Sequence, residues 1–121
     1  MNGDDFVSLL LSEFPSLAPE IHDYDGLLHV QMGVFATHTQ SAIDAEDSQT
    51  LDRCFALAHQ GFRDADSDLK NAFYVSYLEH LVFAGTHGAA SKRRMTPLLQ
   101  EGFIEIMDYM EQLSQSSKKP K

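Results

Sequence analysis

The spacing of apolar residues constrains the fold of this chain more than any other feature. Apolar side chains recur every three or four positions along most of its length, and the alternation typical of a strand is almost absent. A repeat of about 3.6 residues marks one face of an amphipathic helix. Runs of β-branched residues are few, so β propensity is low as well. The sequence therefore predicts an all-α fold.

Prolines, glycines and capping residues divide this pattern into separate helices. Asp47-Ser48, Asp66-Ser67 and Thr96-Pro97 are typical of helix N-termini. About five helices joined by short connectors favour a compact bundle. The predicted helices cover residues 4–14, 27–46, 48–62, 67–84 and 97–113.

Three features of this division are specific predictions. The helix over 27–46 is expected to be the longest, and Gly33 within it to mark close packing or a bend, because glycine costs about 1 kcal/mol there relative to alanine. The helix over 67–84 has little room for a polar face, so it is expected at the centre of the bundle. Lys92, Arg93 and Arg94 are expected in a loop.

The length of 121 residues predicts a single domain over 1–113, followed by a polar, basic tail over 114–121. Cys54 is the only cysteine, so no intrachain disulfide forms, and we expect it as a small buried side chain on a helix. No apolar run approaches the roughly 20 residues of a membrane span, and the N-terminus lacks a basic signal region. These features predict a soluble, cytoplasmic protein.

The distribution of charge is strongly asymmetric. The first basic residue is Arg53, and residues 1–91 hold fourteen acidic side chains against three basic ones, a net charge of −11. A field of one sign repels like-charged partners and attracts opposite ones. Nucleic acid and anionic membranes are therefore excluded as partners of this half, whereas a basic protein surface suits it. Ten carboxylates precede Arg53: Asp4, Asp5, Glu13, Glu20, Asp23, Asp25, Asp44, Glu46, Asp47 and Asp52.

Patterns that carry catalysis or metal binding are missing. The six histidines include no Glu-x-x-His motif, which bundle metal sites use. No serine lies in a glycine-flanked elbow, and no glycine-rich phosphate loop is present. We therefore expect neither an enzyme nor a bound metal or cofactor. Ser76 and Glu79 fall within an apolar helix, where the Glu79 carboxylate would either satisfy a neighbouring helix end or shape a docking surface.

Three segments carry a family resemblance: Phe14-Pro15-Ser16-Leu17, Leu28-His29-Val30-Gln31-Met32-Gly33 and Val75-Ser76-Tyr77-Leu78-Glu79-His80-Leu81. In this order they resemble a family of small, acidic, uncharacterised bacterial proteins, some of which are encoded beside polymorphic toxins as immunity proteins. The similarity spans roughly residues 5–85 and brings no catalytic residues with it. It implies a protein that binds and neutralises a cognate toxin.

The charge asymmetry is consistent with that role, because an acidic surface would capture a basic nuclease or a nucleotide- or NAD-using toxin quickly and cover its active site. Exposed loops and helix ends supply the carboxylates, and Tyr24 is the expected aromatic anchor. The alternatives are a helical adaptor or regulatory module that uses its basic tail, and a small metal-binding or enzymatic bundle. The oligomeric state is left open. The predicted partner-binding residues are Glu20, Asp23, Tyr24, Asp25, Asp44, Glu46, Asp47 and Asp52.

Overall fold

A computed structural model describes the backbone of residues 1–118 and the side chains of residues 1–114. Over that range the chain is all-helical, which confirms the predicted fold class. It has seven α-helices, so the predicted count of about five is too low. No helix of the described range is long and apolar enough to cross a membrane. The helices are α1 (Gly3–Glu13), α2 (Ala18–Asp23), α3 (Leu28–Asp44), α4 (Ser48–Asp64), α5 (Ser67–Ser76), α6 (Gly85–Lys92) and α7 (Pro97–Lys118), with 3₁₀ turns at Pro15–Leu17 and Leu78–His80.

The predicted helix starts are confirmed by side-chain caps. Asp47 accepts a hydrogen bond from the Thr50 amide at the start of α4, and Asp66 accepts one from the Leu69 amide at the start of α5. The Thr96 hydroxyl accepts from the Leu99 amide at the start of α7. Each cap satisfies an amide that the first turn leaves without an intrahelical partner.

The core is centred on α3 and α5. This confirms the prediction that the helix over 67–84, which contains α5, lies at the centre of the bundle. The Phe35 ring stacks on Tyr77 with centroids 4.5 Å apart, and the Phe6 ring meets Phe73 edge-on at 4.9 Å. All four rings are fully buried. The Tyr77 hydroxyl is satisfied by Thr39 Oγ1 at 2.9 Å, and burial raises the pKa of Tyr77 well above its ordinary value. The polar end of the ring therefore has a partner within the core.

The α5 helix ends at Ser76, so the prediction that it continues to Ala84 is wrong. Tyr77 leaves the helical region with φ −122° and ψ −71°, and Leu81 is extended. Both Tyr77 and Leu81 are buried, so the segment stays apolar although it is not α-helical. The spacing of apolar residues cannot distinguish a continued α-helix from a buried, non-helical segment, because tertiary packing determines the backbone conformation here. Glu79 consequently lies in the 3₁₀ turn and is partly exposed, not enclosed in an apolar helix.

Two short helices were missed. The chain between the predicted helices over 4–14 and 27–46, with Pro15 and Pro19, was expected to be a connector. Each proline instead lies in a first turn, Pro15 in a 3₁₀ turn and Pro19 in α2, where its missing amide costs nothing. The predicted loop around Lys92 contains α6, which begins at Gly85 with φ +71°. A Cβ at Gly88 would lie 2.7 Å from the Phe83 carbonyl carbon, so glycine permits close packing there.

The last helix is the longest, at 22 residues against 17 for α3, so the predicted ranking is wrong. Its backbone continues beyond Ser114 to Lys118, into the segment predicted as a tail. Residues 119–121 lie outside the described part of the chain. The assignment of one domain over 1–113 with a basic tail remains a prediction.

Candidate partner-binding site

An open groove of about 640 Å³ runs along the outer face of α3. Its floor is a stripe of α3 residues that recur every three or four positions from Val30 to Asp44, and such residues share one helix face. The stripe covers fourteen helical steps, so the groove is about 21 Å long at 1.5 Å per residue. The lining residues are Glu20, Tyr24, Val30, Gly33, Val34, Ala36, Thr37, Gln40, Ser41, Asp44 and His80.

One wall of the groove is α2 with the turn that follows it. Ile21 anchors this short helix because its side chain is fully buried. The Gln31 side chain donates to the Ile21 carbonyl oxygen at 3.2 Å, which fixes α2 against the N-terminal turns of α3. Glu20 and Tyr24 consequently face the groove near one of its ends, and Tyr24 remains 39% exposed.

A second wall of the groove comes from the 3₁₀ turn after α5, held in place by Gln40. The Gln40 Nε2 group donates to the Val82 carbonyl oxygen at 3.1 Å, and Gln40 Oε1 accepts from the Val82 amide at 2.9 Å. This reciprocal pair attaches the chain after the 3₁₀ turn to α3 and places His80 beside the groove. Gln40 also donates to Asp44 Oδ1 at 3.0 Å, which orients the carboxylate at the far end.

Gly33 lies on the groove floor and has no packing role within the chain. A Cβ built at this position would meet nothing within 4 Å. Of the two predicted roles of Gly33, close helix packing is therefore wrong, and a bend stays a prediction. Without a side chain, α3 presents its bare backbone to the groove at this point, and glycine commonly serves such close approaches.

The groove is acidic at both ends. Glu20 lies beside the first turns of α3 and Asp44 is its last residue, while the described lining residues include no lysine or arginine. Of the ten carboxylates before Arg53, Glu13 pairs with Arg53 at 2.7 Å and Asp52 with Arg94 at 2.8 Å. Within the described side chains the other eight form no ion pair. No lysine or arginine therefore neutralises these eight carboxylates, although Asp5 and Asp47 accept hydrogen bonds at helix N-termini.

The structure brings three of the eight predicted residues together, since Glu20, Tyr24 and Asp44 line the same groove. Asp23 and Asp25 are exposed beside the first of these ends, in α2 and the turn after it. Asp52 differs from these residues because its carboxylate is already paired: both oxygens accept hydrogen bonds from Arg94 at 2.8–2.9 Å. Asp52 thus connects α4 to the chain after α6.

The turn between α3 and α4 places Glu46 and Asp47. Glu46 adopts φ +55°, and the Glu46 and Asp47 amides donate to the carbonyl oxygens of Ile43 and Ala42. This is the arrangement of a Schellman motif, in which glycine is usual at the Glu46 position. Asp47 is committed to capping: hydrogen bonds from the Thr50 hydroxyl and amide hold the pKa of its carboxyl below the ordinary value. Glu46 keeps its side chain exposed.

Sequence reasoning missed Gln40, Gly33 and His80 as parts of the site. The available signal was a second stripe on the 27–46 segment, in which one glycine and three polar residues follow a single apolar one. Its members are Val30, Gly33, Thr37, Gln40 and Asp44. A helix needs one apolar face for the core, so such a stripe indicates a face left open. The contribution of His80 depends on the 3₁₀ turn, which the sequence pattern did not predict.

The remaining polar groups serve packing. Ser76 is buried and its hydroxyl lies 2.7 Å from His29 Nδ1, which joins α5 to α3; Thr96 Oγ1 lies 2.7 Å from His59 Nδ1, which joins the start of α7 to α4. Cys54 is fully buried in α4, as predicted, and burial raises the pKa of its thiol to about 11. No group of three potential metal ligands occurs among the described residues.

Comparison with known proteins identifies a family without assigning an activity. No curated protein and no solved structure matches the chain. Residues 7–115 match a domain of unknown function, DUF7674, which agrees with the expected membership of an uncharacterised family. Because the match covers α2, α3 and the 3₁₀ turn after α5, it includes every wall of the groove. The chain belongs to the DUF7674 family.

Proposed function

We propose that this protein is an immunity-type protein that binds a basic bacterial toxin through its acidic surface and covers the toxin's active site. We define the acidic surface as the exposed carboxylates at the two ends of the groove, namely Glu20, Asp23, Asp25, Asp44 and Glu46. The observation that carries the proposal is an open groove with carboxylates at both ends and no described lysine or arginine in its lining. Opposite charge on the toxin would speed their encounter and favour this orientation.

The choice of a protein partner follows from the same charge. Nucleic acid carries negative charge throughout, and cytoplasmic membrane surfaces are anionic, so both would be repelled by this surface. A toxin that acts on nucleic acid or nucleotides needs a positive cleft for its substrate. The acidic surface would compete for that cleft, and the resemblance to immunity proteins supports this partner class.

The direct test is to express the product of the neighbouring gene with and without this protein. We expect the product to stop growth, co-expression to restore it, and the two proteins to co-purify. A neighbouring product that is not toxic and forms no complex would reject the immunity function and leave the adaptor as the better explanation.

A matched pair of variants tests whether the toxin contacts the acidic surface. E20Q, D23N, D25N and D44N together remove four charges from the acidic surface, while D4N, D68N, E101Q and D108N remove four exposed carboxylates from other helices. Both variants have the same net charge, so general attraction changes equally. We expect the first variant to weaken toxin binding at least tenfold more than the second, chiefly through slower association at low salt. Equal losses would reject the acidic surface as the contact.

A further inference from the structure

We propose that the groove seats an extended, basic segment of the partner, whose main chain crosses α3 at Gly33 and whose cations reach the carboxylates at the two ends. This inference rests on the proposed function and adds the conformation and chemistry of the bound segment. Three features support it: the length of the groove, the glycine in its floor and the positions of its charges.

The length of the groove sets the number of residues that an extended segment would need. The stripe of α3 residues on its floor runs for about 21 Å. An extended chain rises about 3.3 Å per residue and needs about six or seven residues to span this length.

Gly33 explains how a main chain would fit. Glycine lowers helix stability, and a Cβ here would touch nothing in the chain, so packing within the protein does not account for its presence. Ala36, Thr37 and Ser41 continue the floor with short side chains. A partner backbone lying over Gly33 would make close contacts that any larger residue would prevent.

The charges define the segment that fits. Glu20 is next to Ile21, whose carbonyl oxygen accepts from Gln31 near the start of α3, whereas Asp44 is the last residue of α3. The two carboxylates would therefore pair with two separate lysines or arginines of a short segment. Tyr24 offers a ring face beside Glu20, where a cation can also be held. Between them the floor is uncharged, with Gly33, Val34 and Thr37, so the middle of the segment would be small and neutral.

The test is an NMR titration of the ¹⁵N-labelled full chain with the capped peptide acetyl-Lys-Thr-Ala-Gly-Ala-Thr-Lys-amide. We expect amide shift changes along α3 and α2, and at least a fivefold loss of affinity when both lysines are replaced by glutamine. Gly33→Leu, which fills the floor, should weaken binding at least tenfold. The matched control Ala56→Leu adds the same side chain at an exposed position of α4 and should leave binding unchanged.

Several results would overturn the inference. One is unchanged binding to the Gly33→Leu variant. Another is a set of shift changes centred elsewhere, for example on the groove beside Asp4, Asp66 and Asp68. A peptide that causes no localised shift changes on the protein would also overturn the inference.

The two proposals fail differently. If the toxin binds Gly33→Leu as tightly as the native chain, the function stands and the groove inference is wrong. If the neighbouring product forms no complex while the peptide still requires Gly33, the groove binds basic extended segments but the immunity function is wrong.

Discussion

Gly33 and Gly61 lie inside two helices of 17 residues each, yet their surroundings are opposite. A Cβ at Gly33 would meet nothing within 4 Å, whereas a Cβ at Gly61 would lie 2.5 Å from the Phe6 ring and 2.8 Å from Phe73. The first glycine leaves a groove floor open, and the second lets α1 and α5 approach α4 in the core. The structural role of a glycine within a helix therefore depends on the side chains that surround it.

The two faces of α3 should differ most in their response to substitution. Phe35→Ala removes a fully buried ring that contacts Phe6 and Tyr77, and it should lower the free energy of unfolding by about 3–5 kcal/mol. Thr37→Ala, on the exposed groove face, should change that free energy by less than about 0.5 kcal/mol. Urea denaturation of both variants measures the difference. Similar losses would contradict the assignment of one face to the core and the other to the groove.

Alanine at the two glycines gives the sharpest comparison, because the gain in helix propensity is the same at both sites. Gly33→Ala should stabilise the fold by about 1 kcal/mol, since nothing opposes the added methyl group. Gly61→Ala should destabilise it by about 1–3 kcal/mol, because the buried Phe6 and Phe73 rings must move. Thermal and urea unfolding would show the opposite signs. A stabilising Gly61→Ala would mean that the core accommodates the methyl group.

The smallest predicted effect concerns His38, which lies on α3 with its ring 4.6 Å from Phe14. Its Nε2 atom is buried without a hydrogen-bond partner, and burial, followed by the nearby Arg53 charge, lowers the pKa of His38 from its ordinary value of 6.5. The unfolded chain therefore takes up a proton before the folded one does. The contribution of His38 to the free energy of unfolding is fully present above about pH 6.5, and it falls as the pH drops towards the lowered pKa.

The control for this effect is His38→Asn, which removes the titrating group. The difference in unfolding free energy between the native chain and this variant should narrow as the pH falls below about 6.5, and it should be constant above that value. Urea titrations at several pH values measure it. A difference that does not depend on pH would show that His38 does not titrate differently in the folded and unfolded chain.

The boundaries show where sequence reasoning succeeds. Asp47, Asp66 and Thr96 cap helices where predicted, because a cap is a local hydrogen bond between a side chain and an amide two or three residues away. The end of α5 was missed because Tyr77 turns away from the helix as its ring stacks on Phe35, a residue 42 positions earlier. Periodicity within one segment carries no information about such a contact.

Some features of the candidate site were likewise predictable from the sequence, and others were not. Glu20, Tyr24 and Asp44 were predicted from charge, exposure and residue type, and they share one groove. The neutralisation of Asp52 by Arg94 and the wall fixed by Gln40 were not predictable, because each joins residues 42 positions apart in the chain. Such pairs are set by how the helices pack.

The all-α fold, the capped starts of the main helices and the negative charge of the first half could be predicted from the sequence. They depend on local spacing, local hydrogen bonds and composition. The groove became visible only in the folded structure. One face of α3 stays open, α2 and the 3₁₀ turn line it, and Gly33 lies on its floor. A groove is the space between elements that are distant in sequence. It exists only once packing has placed them.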